Sequence, residues 1–324
     1  MLILPLFSIL FSALKEGFAF YIQAVTTEYV RSALLVTLLA TVIAVVVNTF
    51  FGIMAAWLLT KFSFRGKQVL ATLIDIPFSI SPVIVGLAFL MTFGRLGWTY
   101  PAIRAINQFF GTNIRITFAL PGVVLATIFV TFPFVSREII PILNAQGKDE
   151  EEAAALMGAG GFTIFRKITL PQMKWGLIYG IILCTARALG EFGAVNALSK
   201  TRGQTFTLPL EIDALYMSGT DTSITSAFAV SSILVIIAVI VAIFVMNVII
   251  VIQRFWNGLL QEEGYLMFTL PVTTRSLILS KVISALIISC GTALVISLLG
   301  VEIIAISPVK LMDTVTYFGN WVIK

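Results

Sequence analysis

The sequence predicts an all-α protein that crosses a membrane several times, and three observations carry that prediction. Of its 324 residues, 59% are hydrophobic and only 11% are charged, less than half of the roughly 25% found in soluble domains. The apolar residues are gathered into runs of about 20 or more, the length a spanning helix needs. Alternating strands separated by turns, the pattern of a transmembrane barrel, are absent. The composition is also the reverse of a disordered chain, which combines low hydrophobicity with high net charge.

In chain order, Leu2 to Leu14 form an apolar run too short to span. No Lys or Arg precedes it, so it lacks the basic start of a signal peptide; it is expected to lie in the interface or to be the second half of a helix. Spans are expected at Ser32–Leu59, Val69–Phe93, Ile116–Ser136, Trp175–Leu198 and Thr225–Ile252, of which only the second and fourth contain charges. A further uncharged run, Val282–Val301, follows Glu262-Glu263-Gly264 and a Thr-rich stretch through Arg275.

The second span carries Pro77 and Pro82 with Ser79 and Ser81 between them. Each proline removes a backbone donor and breaks or kinks a helix. A broken helix can aim its freed N–H groups at an anion, although a plain packing kink would use the same residues. Asp75 would repel an anion unless paired or protonated.

Lys and Arg counts orient the chain. One set of alternate loops holds Lys61, Arg65, Lys67, Arg137, Lys148, Arg166, Lys167, Lys174 and Arg254; the other holds Lys15, Arg31, Arg95, Arg104, Arg115, Lys200 and Arg202. The first set is the richer and is assigned to the cytoplasm. The surplus of +5 is scattered between apolar runs without a basic stripe, which speaks against nucleic-acid binding.

Several chemistries are excluded by absence from the sequence. There is no histidine, hence no His-based metal site or His proton relay. Cys184 and Cys290 stand singly in apolar stretches and are expected to be buried small hydrophobes, not a redox pair. No GxxxxGK[ST] phosphate loop occurs, so any ATP hydrolysis belongs to another chain.

The longest polar insertion, Gly147 to Gln172, opens on Asp149, Glu150, Glu151 and Glu152, continues through Ala153-Ala154-Ala155-Leu156-Met157 and closes on Gly158, Gly160 and Gly161. Acids favour the positive end of a helix dipole, alanine and leucine propagate the helix, and glycine ends it. A short helix in a cytoplasmic loop follows, which by periodicity alone is an ordinary solvated helix. In the fourth span, Arg187 and Glu191 are four residues apart. That spacing places them on one helix face, able to pair and directed away from lipid. Such a pair could fix helix packing or take part in a pathway or gate.

Glu152-Ala153-Ala154, three residues, Gly158, nine residues, then Ile168-Thr169-Leu170-Pro171 resembles the EAA loop of ABC importer permeases. The segment Ala186-Arg187-Ala188-Leu189-Gly190-Glu191-Phe192-Gly193-Ala194 is similar to a motif of the sulfate, molybdate and tungstate group. Ile74 to Val83, Ile128 to Glu138 and Arg202 to Leu210 resemble the CysW-type permeases of bacterial sulfate/thiosulfate importers. The resemblance covers residues 1 to 255 and implies a polytopic bundle of the ABC type I importer class in the bacterial plasma membrane, forming half of a sulfate or thiosulfate pathway. It makes Glu152, Ala153, Ala154, Gly158, Ile168, Leu170 and Pro171 the ATPase-coupling loop, and Arg187, Gly190, Glu191, Gly193, Asp75, Ser79 and Ser81 pathway or gate candidates. It implies a paralogous second permease, an ABC ATPase dimer that uses the ATP, and an extracytoplasmic sulfate-binding protein, with no cofactor on this chain.

Two features depart from that family. Its members begin with a cytoplasmic tail and a complete first span, whereas Met1 is expected to stand partway through that span. From Glu262 the resemblance stops; Gly264 to Val272 with Ser280-Lys281 is similar to a piece of an ABC-2 type exporter permease, so residues 262–324 are expected to be a foreign segment, with a lineage-specific extra helix as the alternative. Rival functions are a permease for molybdate or tungstate, an ion-coupled carrier using Arg187 and Glu191 as a charge relay, and a non-transporting assembly protein.

Overall fold

A computed structural model describes residues 3–111, 115–260 and Gly291. The expected foreign segment, the run Val282–Val301 and Cys290 lie outside the described residues. The helices in chain order are α1 (Ile3–Ala13), α2 (Phe18–Val25), α3 (Glu28–Lys61), α4 (Lys67–Ser79), α5 (Pro82–Phe93), α6 (Tyr100–Phe110), α7 (Leu120–Thr131), α8 (Pro133–Gln146), α9 (Asp149–Leu156), α10 (Gly161–Ile164), a π-helical turn Phe165–Thr169, α11 (Leu170–Leu189), α12 (Gly193–Leu198), α13 (Leu208–Met217) and α14 (Asp221–Leu260). No strand occurs among the described residues.

By length and composition, three helical stretches can cross a membrane: Glu28–Lys61, Leu120–Gln146 and Asp221–Val241. The 34 residues of α3 extend about 50 Å at 1.5 Å per residue, well beyond a hydrocarbon core of about 30 Å. Glu28 sits in its first turn and Lys61 in its last, each at the end where the helix dipole favours its charge.

The other expected spans are not single helices. Residues 67–93 form α4 and α5, bent by 108° at Ile80-Ser81. Ile80 and Ser81 are extended, with ψ of 137° and 133°, because Pro82 disfavours the helical conformation of the residue before it. Only Pro82 makes a break; Pro77 lies inside α4. The fourth expected span stops at Leu189, turns through Gly190-Glu191-Phe192 and resumes as the six-residue α12. Near the N-terminus, Pro5–Ala13 and Phe18–Val25 are a bent pair at 96°, so the short apolar run forms one helix and the chain turns sharply after it.

Contacts divide the described chain into two units, one of residues 3–26 with 228–260 and Gly291, the other of residues 27–227. In the first, Tyr21 and Ser232 hydrogen-bond through their hydroxyls at 2.9 Å. The second is built on α3 and on the α7–α8 rod. Ala56 of α3, Val135, Ile139 and Leu143 of α8, and Met173 and Cys184 of α11 form one buried cluster. Val36 and Ala40 of α3 meet Val123 of α7, Val195 of α12 and Leu210 of α13 in a second. Val85 of α5, Ala126 and Val130 of α7, and Ala194 and Leu198 of α12 form a third.

Small residues let these helices approach closely. A Cβ on Gly176 of α11 would lie 2.7 Å from the Glu138 carbonyl oxygen of α8, and one on Gly180 would lie 3.0 Å from Val135 Cα. Gly176 and Gly180 are four apart, the small-xxx-small spacing by which membrane helices pack backbone to backbone. Polar links supplement the packing. The Asn48 amide of α3 donates to the Ile128 carbonyl at 3.1 Å and to the Thr131 hydroxyl at 2.8 Å, and it lies 3.8 Å from the sulfur of the buried, free Cys184.

Candidate functional site

Three groups of residues stand out in the larger unit, at the α9 loop, at the two helix breaks and in the segment 199–211. The α9 loop is tied down at both ends. Lys61, in the last turn of α3, pairs with Glu151 at 3.1 Å and donates to the Gly147 carbonyl at 2.6 Å. The Lys61 and Glu151 side chains are only 5% and 15% exposed, so water screens the pair little. From the other side, the Thr169 hydroxyl donates to Glu151 and the Gln172 amide to Glu150, both at 2.6 Å. One carboxylate, Glu151, thus joins the end of α3 to the turn that starts α11.

The predicted loop residues are distributed around this anchor. Glu152 and Ala153 are exposed and Ala154 is half-buried. Ile168 is in the π-helical turn. Leu170, whose N–H bonds the Phe165 carbonyl, and Pro171 stand where the π-helical turn passes into α11. Gly158 follows α9 with φ of +84°, and a Cβ there would meet nothing within 4 Å. Beside it Leu156, Met157 and Phe162 are 90%, 88% and 76% exposed. An acidic helix start with an uncovered apolar tip is a surface suited to another protein.

The two broken spans meet at their breaks. A Cβ on Gly86 of α5 would stand 2.5 Å from the Ala194 carbonyl oxygen, and one on Gly193 would stand 3.0 Å from Pro82 Cβ and 3.2 Å from the Val83 nitrogen. Contact this close requires glycine on both sides. Gly190 is different, with an ordinary φ of −94° and its nearest neighbour 3.8 Å from an added Cβ.

Arg187 and Glu191 do pair, Nη1 to Oε2 at 2.7 Å, but not as two residues on one helix face. Glu191 lies beyond the end of α11. Its side chain is 1% exposed, and its other oxygen accepts the Ala194 N–H at 2.9 Å. The carboxylate therefore satisfies an orphan donor at the start of α12 while its charge meets Arg187. Ser79 and Ser81 are exposed, and Ser81 adjoins the Pro82 that faces Gly193.

Asp75 is paired, with Arg137 Nε donating to it at 2.8 Å. Arg137 also lies over the Phe78 ring at 4.5 Å. It was counted with the cytoplasmic loops, yet it belongs to α8 inside the Leu120–Gln146 span, because the span continues past Ser136.

The third group was visible only as a motif. The Glu211 carboxylate is fully buried and accepts Arg202 Nε at 3.0 Å on each oxygen and Nη2 at 2.5 Å. These hydrogen bonds hold the Arg202 pKa above its ordinary value, against partial desolvation. The guanidinium covers the Tyr29 ring at 4.8 Å. Ser32 donates to the Gly203 carbonyl at 2.5 Å, and the Leu208 N–H donates to Thr37 at 2.8 Å, so the whole segment is fastened along α3. Glu211 shares its short helix with Asp213, so no local signal in the sequence singles it out. No cluster of three metal-ligating side chains occurs among the described residues.

Comparison with known proteins places this geometry. The family model described as binding-protein-dependent transport system inner membrane component matches residues 48–257. The sulfate transport system permease protein CysW of Escherichia coli (strain K12) is 42% identical over 240 residues, covering 74% of this chain and 79% of that protein. CysW of Synechococcus elongatus is 44% identical over 216 residues, covering 66% of this chain and 73% of its own length. Among solved structures, a bacterial alginate ABC transporter in complex with an alginate pentasaccharide-bound periplasmic protein has a chain that aligns with a TM-score of 0.61 at 17% identity, over 82% of this chain and 90% of that one. At that identity the likeness is one of fold.

Proposed function

The chain belongs to the family of binding-protein-dependent transport system inner membrane components, and from that premise we propose how it works as a permease subunit of a sulfate ABC importer. It is a multi-pass protein of the plasma membrane and forms half of the path by which sulfate or thiosulfate moves inward. Relatives that are permease subunits support a transport role without a reaction of its own. ATP is bound and hydrolysed by a separate ATPase pair. A paralogous permease completes the path, and an extracytoplasmic sulfate-binding protein delivers the anion.

The observation that carries the mechanism is the two-sided anchoring of α9. Closure of the ATPase pair on ATP would move α9 and the turn after it, where the acidic start and exposed Leu156, Met157 and Phe162 offer the surface that the partner would meet. Through Glu151 that motion acts on Lys61 at the end of α3 and on Thr169 at the start of α11. The 20 residues of α11 reach about 30 Å to the Arg187–Glu191 turn. There α12 and α5 are locked together at Gly86 and Gly193, so a push on α11 arrives where both broken spans meet. Rigid helices with a discrete break are the elements that switch a path between two facings.

Gly158 tests this. A side chain there clashes with nothing in the chain itself and strains the left-handed backbone by about 1–2 kcal/mol, but it projects from the surface that the ATPase would cover. Gly158→Trp is expected to insert normally and to lose ATP-dependent sulfate uptake; unchanged uptake would overturn the coupling role. The permease part is assigned to residues 1–255 and residues 262–324 to an additional segment, consistent with a family match that ends at residue 257. Deleting 262–324 is expected to leave sulfate uptake unchanged, and lost uptake would make the segment part of the permease.

A further inference from the structure

The end of the larger unit opposite α9 carries a cavity that none of the motifs accounts for. The α7–α8 rod runs from Leu120 to Gln146, just before α9, so its start at Leu120 lies about 40 Å away along 27 helical residues. Around that start, the end of α5, one side of α6 and residues 115–118 line a cleft of about 1070 Å³. Arg95, Arg104 and Arg115 line it, together with Asn107, Thr201 and Gln204, and no acidic residue is among its lining. None of the ion pairs formed among the described residues involves these arginines. Three cations therefore share one concavity with no ion-pair partner among the described residues.

The neighbourhood gives the cleft a position. Leu96, Trp98 and Phe109 are 103%, 82% and 83% exposed, and aromatic and apolar side chains of this kind settle at a membrane–water boundary. A concavity lined by one sign of charge, with low-dielectric walls, focuses its field and raises the local concentration of counter-ions. The guanidinium fork matches the oxygens of a tetrahedral oxyanion. The volume is much larger than one bare tetrahedral anion, so the cleft suits a hydrated ion rather than a fitted one.

We propose that this cleft is an outer receiving vestibule, in which Arg95, Arg104 and Arg115 hold a hydrated divalent tetrahedral oxyanion before it enters the path. The inference rests on the reading of the chain as a sulfate permease and deepens it. In this role the arginines raise anion occupancy at the outer mouth, while the Arg187–Glu191 and Arg137–Asp75 pairs, each internally neutral, leave the inner path free of a trap of comparable depth.

The test uses the full transporter complex in nanodiscs without its binding protein, with radiolabelled inorganic sulfate in equilibrium dialysis. Wild type is expected to bind sulfate weakly and saturably, and binding should fall as salt screens the field. R95Q/R104Q/R115Q is expected to lose at least about tenfold in affinity, and the triple lysine variant, which keeps the charge, to recover most of it. Equal binding by wild type and the triple glutamine variant overturns the proposal, as does a triple glutamine variant that binds sulfate normally but fails to engage the binding protein. If the triple variant does not assemble, the three single glutamine variants are compared; each should weaken binding, and three unchanged affinities overturn the vestibule. Uptake by the wild-type complex with its binding protein is measured in parallel. Its absence would defeat the sulfate reading itself, whereas normal uptake with no effect of the arginine variants on binding would defeat only the vestibule.

Discussion

At Glu151 and Glu152, adjacent carboxylates face opposite fates. The sequence pattern singles out Glu152, whose side chain is exposed, while Glu151 beside it carries the largely buried side-chain pair with Lys61 and the bond from Thr169. Removing one member of a buried ion pair costs about 3–5 kcal/mol because its partner is left uncompensated, and this incompletely buried pair lies toward or below the lower end of that range. Glu151→Ala is therefore expected to loosen α9 even in the isolated permease, seen as protease cleavage between Gly147 and Thr169 at least about tenfold faster than in wild type. Glu152→Ala should leave that cleavage rate nearly unchanged; equal effects of the two would refute the anchor. What could be read at this scale depended on distance along the chain. Arg187 and Glu191 are close in sequence and their pairing was legible, although the break at Gly190 was not. The Asp75–Arg137 pair joins residues 62 apart, and Glu151 reaches Lys61 from another helix, so no local spacing announces either one.

Helices and their breaks follow from shorter-range causes, and more of them were legible. The apolar runs gave α3, the α7–α8 rod and α14 nearly in place, since burial in lipid demands length and hydrophobicity. The bend between α4 and α5 was signalled by its prolines, of which Pro82 sets the break by acting on Ser81. The turn at 190–192 gave no such signal, because it is held from outside: Glu191 bonds the Ala194 N–H, and Gly193 lies against Pro82. The glycines that permit these contacts do not stand out among the 23 of the chain until their neighbours are known. Gly86→Ala would place a methyl 2.5 Å from the Ala194 carbonyl oxygen, and such overpacking costs about 1–3 kcal/mol. The expected outcome is a lower thermal midpoint for the purified protein. Gly190→Ala, where the nearest atom is 3.8 Å away, should shift it little. A Gly86→Ala protein as stable as wild type would mean that α5 and α12 are not locked at this point.

For the whole molecule, the question is which end faces which side of the membrane. The charge count favours a cytoplasmic α9 loop by a margin of two residues, and moving Arg137 from the loops into α8 narrows it. Orientation is fixed better by what each end can do. The α9 end has an acidic helix start, an apolar tip and mechanical ties to α3 and α11, which under the proposed function would serve an ATPase on the cytoplasmic side. The opposite end has a basic cleft lined by Leu96 and three arginines that form no ion pair among the described residues, which under the proposal above would serve an incoming anion. Both roles need the two ends to be separated by the bilayer, and a rod of 27 residues, about 40 Å long, is sufficient to span it. In a background with both native cysteines replaced by alanine, Leu156→Cys and Leu96→Cys place single thiols at the two ends. A membrane-impermeant maleimide added to intact cells is expected to label the thiol at position 96 and spare that at 156, and inverted vesicles should reverse the result. Labelling of both positions from one side would overturn the orientation. With it would fall the assignment of α9 to the ATPase and of the arginine cleft to the incoming anion, since each depends on facing its own compartment.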